Sequence, residues 1–139
     1  MYRLFRGKFP YCLRDIKYIP CALKYRTQRA CRGWADCDTW SIDMWFLEVV
    51  PQMLEHLREN RCSQPAHMTS EEWNSILGAM IFLLNEMNEE TCSQQNDIEY
   101  TSDNADKFLA RERELSNYMD HCKDEFFKMF SEHFYDLWD

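Results

Sequence analysis

Apolar residues recur along this chain at the three- and four-residue spacing of helices, and no stretch alternates as a half-buried strand does. The most apolar run extends from Trp40 to Val50. An Asp at 36 or 38 is suited to accept hydrogen bonds from the first turn of a helix, so we expect a central helix to start at Asp36 or Asp38. Pro51 predicts a kink within this helix, which we expect to end near Asn60.

Local signals predict a helix on each side of this central helix. Pro20 suits a first helical position and Gly33 suits a left-handed C-terminal cap, so residues 20–32 form a predicted helix. The T-x-x-E sequence Thr69–Glu72 is a capping box ahead of an apolar run, which predicts a helix over 70–91.

The last third of the chain predicts a polar loop and one long helix. Residues 92–104 are polar and are expected to be the most mobile segment. Ser102 or Asp103 then caps a helix over roughly 104–137. Its end carries more aromatic residues than one core-facing stripe buries, so an interface or an oligomer contact is expected there. Together these elements predict a single all-α domain, 1–139, built as an irregular bundle of about four helices.

Charge divides the chain into a basic beginning and an acidic remainder. The net charge is −8, but residues 1–34 carry nine Lys/Arg and one Asp, or +8, while residues 35–139 carry 7 Lys/Arg and 23 Asp/Glu, or −16. Residues 1–19 form a basic aromatic arm ahead of the helical body, 20–139. The arm fits nucleic acid, an anionic membrane or the acidic body itself, and we favour the last of these. The acidic body fits either an ordinary solvated surface or an imitation of nucleic acid.

Signatures of catalysis and of metal binding are missing from the sequence. The seven cysteines are scattered without a C-x-x-C pair, which indicates reduced thiols in a cytosolic protein. The four histidines form no zinc-ligand spacing with them. No apolar run is long enough for a transmembrane helix. We therefore expect a protein without enzymatic activity and without a cofactor.

Three aspartates between Gly33 and the apolar run have two interpretations. Asp36, Asp38 and Asp43 supply the hard oxygen ligands that a divalent cation prefers, which would make a metal-dependent enzyme. The simpler interpretation, which we favour, is that two of them start a helix and that Asp43 is buried and paired with an arginine, for which Arg32 is nearest in sequence.

The stretch from Arg32 to Asp43 resembles a motif in small proteins encoded by tailed bacteriophages and prophages, R-G-[WY]-x-D-x-D-x-W-[SN]-[IL]-D. Those proteins also have a helix containing Pro and a T-x-E-E-W-x-x-I-L helix, which correspond here to Pro51 and to Thr69–Leu77. The likeness covers about residues 20–90. It implies a phage-type origin, a helical fold and residence in the cytoplasm of an infected bacterial host, and it brings no activity with it.

Three functions follow as hypotheses. The favoured one is a small binding protein that acts on a host protein, such as a component of a defence or nucleic-acid-handling complex. The second is a sponge for a small anionic ligand such as a signalling nucleotide. The third is the metal-dependent enzyme. The residues expected to bind a partner or ligand are Arg26, Arg29, Arg32, Trp34, Trp40 and Asp43.

Overall fold

A computed structural model describes residues 19–138, and every regular element in that part of the chain is helical. The α-helices are α1 (Ile19–Arg32), α2 (Ile42–Asn60), α3 (Ser70–Glu86) and α4 (Ala105–Glu132). Two 3-10 segments, Asp36–Trp40 and Phe134–Asp136, follow α1 and α4. This confirms the predicted all-α helical bundle. The predicted basic arm lies outside the described residues, apart from Ile19.

Contacts within the chain form two compact units, with the boundary inside α2. The N-terminal unit is Met1–Val49 and the C-terminal unit is Val50–Asp139. The first contains α1, the 3-10 segment Asp36–Trp40 and the start of α2. The second contains the rest of α2, then α3 and α4.

In the N-terminal unit, α1 ends where the sequence predicts that it does. Gly33 has φ +82, and its N–H donates to the Arg29 carbonyl at 3.0 Å. A residue with a Cβ is strained in this left-handed conformation, so glycine is the residue that ends the helix without cost.

The predicted start of α2 is wrong by several residues. Asp36 and Asp38 belong to the separate 3-10 segment, and α2 begins at Ile42, with the Ser41 carbonyl accepting from the N–H of Trp45 at 3.0 Å. The carboxylate of Asp38 does accept an N–H at a helix start, but the donor is Ala35 at 2.8 Å. Pro51 lies inside α2, which ends at Asn60 as expected.

The C-terminal unit is built on the packing of α3 against α4. Thr69 and Glu72 form the predicted capping box, since each side chain accepts from the other residue's N–H, at 3.2 and 2.8 Å. The apolar spacing of α3 then places four side chains fully inside the unit, and α4 and α2 contribute further buried residues. The buried residues are Trp73, Leu77, Met80 and Leu84 of α3, Leu115, Cys122 and Phe126 of α4, and Leu54 of α2.

Helix α3 ends five residues earlier than predicted, at Glu86. Polar groups in the next turn replace the helical hydrogen bonds. The Asn88 side-chain oxygen accepts from the N–H of Glu90 at 3.0 Å, and the Thr91 hydroxyl donates to the Asn85 carbonyl at 2.7 Å. Asn and Thr side chains compete in this way with helical backbone pairing, which is why the periodicity of apolar residues overestimated the helix.

Helix α4 also departs from its predicted bounds and cap. Asn104, rather than Ser102 or Asp103, precedes it, and the Asn104 side chain bonds backward, accepting from Thr101 N–H at 2.8 Å and donating to the Glu99 carbonyl at 2.9 Å. The loop before α4 is thus hydrogen-bonded to itself. At the other end α4 stops at Glu132, before the 3-10 segment Phe134–Asp136.

Candidate functional site

A corner in the N-terminal unit brings together several of the residues that the sequence singles out. Arg29, in the last turn of α1, forms a two-pronged ion pair with Asp38: Nε donates to Oδ2 at 3.0 Å, and Nη2 donates to Oδ1. Both side chains are largely buried, with 20% and 10% of their surface exposed. Since Asp38 also accepts from the N–H of Ala35, which is fully buried, the pair fixes α1 to the 3-10 segment.

The second aspartate of the corner is bonded from three sides. Gln28 donates to Asp36 Oδ2 at 2.7 Å and accepts from the Asp36 N–H at 2.9 Å. Lys24 Nζ lies 3.0 Å from the same carboxylate oxygen. Arg32 Nη2 donates to the other oxygen, and its Nε donates to the Trp34 carbonyl at 3.1 Å.

Hydrogen bonds and neighbouring basic groups in the corner lower the pKa values of Asp36 and Asp38. Hydrogen bonds from Gln28, Arg32 and Lys24 hold the pKa of Asp36 well below its usual range. For Asp38, burial raises the pKa, but the bonds from Arg29 and the Ala35 N–H outweigh burial and lower it. Both carboxylates are therefore ionised at neutral pH, and each has its cationic partner within the unit.

The structure does not bring Arg32 and Asp43 together as the sequence led us to expect. Asp43 is exposed in the first turn of α2, and Arg32 pairs with Asp36. The Arg32 guanidinium stacks on the Trp34 ring, 3.7 Å from its centroid. Trp40 is 77% exposed and meets the Tyr25 ring edge-on.

This arrangement bears on the sponge and the metal hypotheses. An anionic ligand would have to displace Asp38 from Arg29 and Asp36 from Arg32; Arg26, the third arginine, is half-buried on α1. A cation would have to displace the same two basic groups. Within residues 19–138, no group of three or more His, Cys, Asp or Glu side chains is placed to hold a metal ion. Because its charged groups pair with one another, the corner fixes the direction of the chain between α1 and α2.

An open depression lies along α1, with a volume of about 540 Å³. A nucleotide sponge needs an enclosing pocket with available cationic groups. Here the depression is open, and the guanidinium on its edge is the one bonded to Asp36. Its lining consists of Pro20, Leu23, Lys24, Thr27, Gln28, Cys31 and Arg32.

Glu86 in the C-terminal unit is a buried carboxylate that the sequence reasoning missed. It is 3% exposed at the end of α3, and its oxygens accept from the Ser93 N–H at 3.1 Å, the Ser93 hydroxyl at 2.7 Å and the Tyr118 hydroxyl at 2.8 Å. A signal was present, because an acidic residue in the last turn of a helix opposes the helix dipole and needs a specific partner. The Tyr118 partner is 32 residues away in sequence.

The hydrogen bonds at Glu86 decide its ionisation. Burial raises the pKa of Glu86, but the bonds from Ser93 and Tyr118 outweigh burial and lower it. The same bond, with burial, raises the pKa of Tyr118 to about 12. Burial also raises the pKa of the nearby Cys122 thiol, which favours its unreactive protonated form. The cluster thus joins α3, the loop after it and α4, and we assign it a structural role.

A run of aromatic side chains that reaches the surface lies at the end of α4. The rings of Phe126, Phe127, Phe130, Phe134 and Tyr135, with the neighbouring Trp138, form what we call the aromatic strip. Successive ring centroids of Phe126, Phe130, Phe134 and Tyr135 lie 5.4 to 5.5 Å apart. Phe126 is fully buried, whereas Phe134, Tyr135 and Trp138 are 53%, 89% and 57% exposed. The strip therefore runs from the core onto the surface.

Comparison of the chain with protein-family models, with curated proteins and with solved structures finds no match. No helix in the described part of the chain is long and apolar enough to cross a membrane.

Proposed function

We propose that this chain is a small, non-enzymatic, phage-type binding protein that acts on a host protein, and that the aromatic strip is its contact surface. The observation that carries the proposal is the exposure of Phe134 and Tyr135, whose rings connect through Phe130 to the buried ring of Phe126. Trp138, three residues further along the chain, is exposed as well. Exposing large aromatic rings to water is unfavourable, and rigid aromatic side chains dominate the energetics of protein interfaces.

The charge of the C-terminal unit supports a partner that handles nucleic acid. Residues 50–139 carry 7 Lys/Arg and 19 Asp/Glu, a net charge of −12. A surface of this sign attracts the basic groove of a nucleic-acid-binding protein and accelerates the encounter with it. The phage-type origin remains the expectation of the resemblance, and a host component of a defence or nucleic-acid-handling complex is the partner class that fits both features.

Co-purification with matched variants tests the proposal. The tagged full chain is incubated with lysates from a panel of bacteria, in parallel with the double variant Phe134→Ser/Tyr135→Ser and with Tyr100→Ser. Tyr100 is a suitable control because it is 62% exposed and contacts Phe108 near the opposite end of α4.

The expected result is one host protein retained in stoichiometric amount by the original chain and by Tyr100→Ser, and lost from the double variant. Two results would overturn the proposal. Either no protein is retained in stoichiometric amount from any lysate, or the retained protein stays bound to the double variant.

A further inference from the structure

The residues around the aromatic strip are predominantly acidic, which indicates the charge of the partner that would cover it. From Asp120 to Trp138 the chain has five Asp/Glu and two Lys, a net charge of −3 with neutral histidines. Lys123 is already paired with Asp120, with Nζ 2.6 Å from Oδ1. Asp124 is exposed and lies three residues before Phe127, so the two share one side of the helix.

The opposite end of the strip is acidic as well. Asp136 belongs to the 3-10 segment that presents Phe134 and Tyr135. Its Oδ2 lies 3.6 Å from His133 Nδ1 and 3.9 Å from His67 Nε2, contacts that become ion pairs only when a histidine is protonated. An apolar centre with acidic groups at both ends is complementary to a segment with apolar anchors and basic flanks.

The length of the strip fits a helix. The ring centroids of Phe130, Phe134 and Tyr135 follow one another at 5.5 and 5.4 Å. The three rings therefore span at most about 11 Å, which is close to the rise of seven residues along a helix axis. Apolar side chains at positions i, i+4 and i+7 of a partner helix cover the same distance, and this is the anchor pattern of helices that bind to apolar surfaces.

The negative charge around the strip also favours a basic helix over nucleic acid, anionic lipid or a second copy of the chain. Nucleic acid and anionic lipid have the same sign as the strip's surroundings, so they are repelled. A second copy of the chain would bring two acidic rims together.

We propose that the aromatic strip binds a basic amphipathic helix of the partner protein. The inference rests on the proposed function and specifies the chemistry of its partner. Apolar anchors of the partner helix pack on Phe134, Tyr135 and Trp138, and its Lys or Arg residues pair with Asp124 and Asp136 at the rim.

Binding of synthetic peptides to the full chain tests this proposal directly. The probe is a fluorescently labelled Leu/Lys peptide of about 14 residues with Leu at the i, i+3, i+4 and i+7 spacing. One control peptide has the same composition in an order that gives no apolar face, and another has Glu in place of every Lys. Binding is followed by fluorescence anisotropy.

We expect the Leu/Lys helix to bind, the scrambled peptide to bind at least about tenfold more weakly, and the Leu/Glu peptide not to bind. Phe134→Ser/Tyr135→Ser should weaken the binding by about tenfold or more, whereas Tyr100→Ser leaves it within about twofold. Asp124→Asn should weaken binding of the basic peptide, unlike Asp106→Asn in the first turn of α4. Raising NaCl from about 50 to about 300 mM should weaken it further.

Several outcomes would overturn the inference: no binding of the Leu/Lys peptide, equal binding of the Leu/Glu or scrambled peptide, or unchanged binding by the double variant. Self-association abolished by the double variant, seen by sedimentation equilibrium, would assign the strip to a second copy instead. One outcome separates the two proposals. If the double variant fails to retain the host protein in co-purification, but the Leu/Lys, scrambled and Leu/Glu peptides all bind equally, the proposed function stands and the partner chemistry is wrong.

Discussion

Arg29 and Asp38 join the end of α1 to the 3-10 segment that follows it through two parallel hydrogen bonds between largely buried side chains. The fork of a guanidinium matches the two oxygens of a carboxylate, so the pair fixes direction as well as distance. It is formed across a turn whose conformation requires Gly33. The charged corner is therefore a device that sets the path of the chain between two helices.

Removing one member of this pair should destabilise the N-terminal unit. We expect Asp38→Ala to reduce the free energy of unfolding by about 2 kcal/mol, because it removes the buried carboxylate that pairs with Arg29 and accepts from the Ala35 N–H. Asp43→Ala, at an exposed position, should change it by less than about 0.5 kcal/mol. Urea unfolding followed by circular dichroism gives the values, and faster hydrogen exchange at the Ala35 amide locates the effect. Equal effects of the two substitutions would contradict the structural role.

Tyr118 should stabilise the C-terminal unit through its hydroxyl group. Tyr118→Phe keeps the ring and removes only the donor to Glu86, so we expect a loss of about 1.5 kcal/mol in thermal or urea unfolding. Tyr135→Phe is the matched control, since this hydroxyl is on a ring that is 89% exposed, and it should be neutral within about 0.5 kcal/mol. A neutral Tyr118→Phe would show that the bond to Glu86 contributes nothing.

The ionisation of Glu86 predicts how stability depends on pH. Its pKa is lowered on folding from the usual 4.5, so the unfolded chain binds the proton more tightly. The stabilisation is then complete above about pH 5 and is lost as the pH falls through the lower folded value. Glu86→Gln should have a lower free energy of unfolding than the original chain at pH 7. This gap between the two free energies should narrow below about pH 4. A gap that stays constant from pH 7 to pH 3 would exclude this linkage.

Two glycines should respond to alanine with opposite signs. At Gly33, φ is +82, so Gly33→Ala is strained although nothing lies near the added Cβ, and we expect a loss of about 1 kcal/mol. At Gly78, inside α3, the new Cβ makes an ordinary 3.5 Å contact with Arg58 Nη1, so Gly78→Ala should gain about 0.5 to 1 kcal/mol through lower chain entropy in the unfolded state. Urea unfolding of the two variants checks the signs, and the same sign at both positions would contradict these backbone assignments.

Much of the helical framework is predictable because its determinants are local. Gly33 and the Thr69–Glu72 box act within four or five residues, and both mark helix ends where the sequence places them. The predicted end of α3 is five residues too late, since periodicity of apolar residues does not register the side-chain hydrogen bonds of Asn88 and Thr91 in the turn after the helix.

Sequence alone determined the helix content, the sharp turn at Gly33, the capped start of α3 and the accumulation of aromatic residues at the end of α4, because each depends on neighbouring residues or on composition. Only the tertiary structure decided that Arg32 bonds to Asp36 and leaves Asp43 exposed, that Tyr118 completes the Glu86 site, and which aromatic rings reach solvent. The physical reason is that a charge or a ring takes the partner that folding brings within a few ångströms, and separation along the chain does not reveal which partner that is.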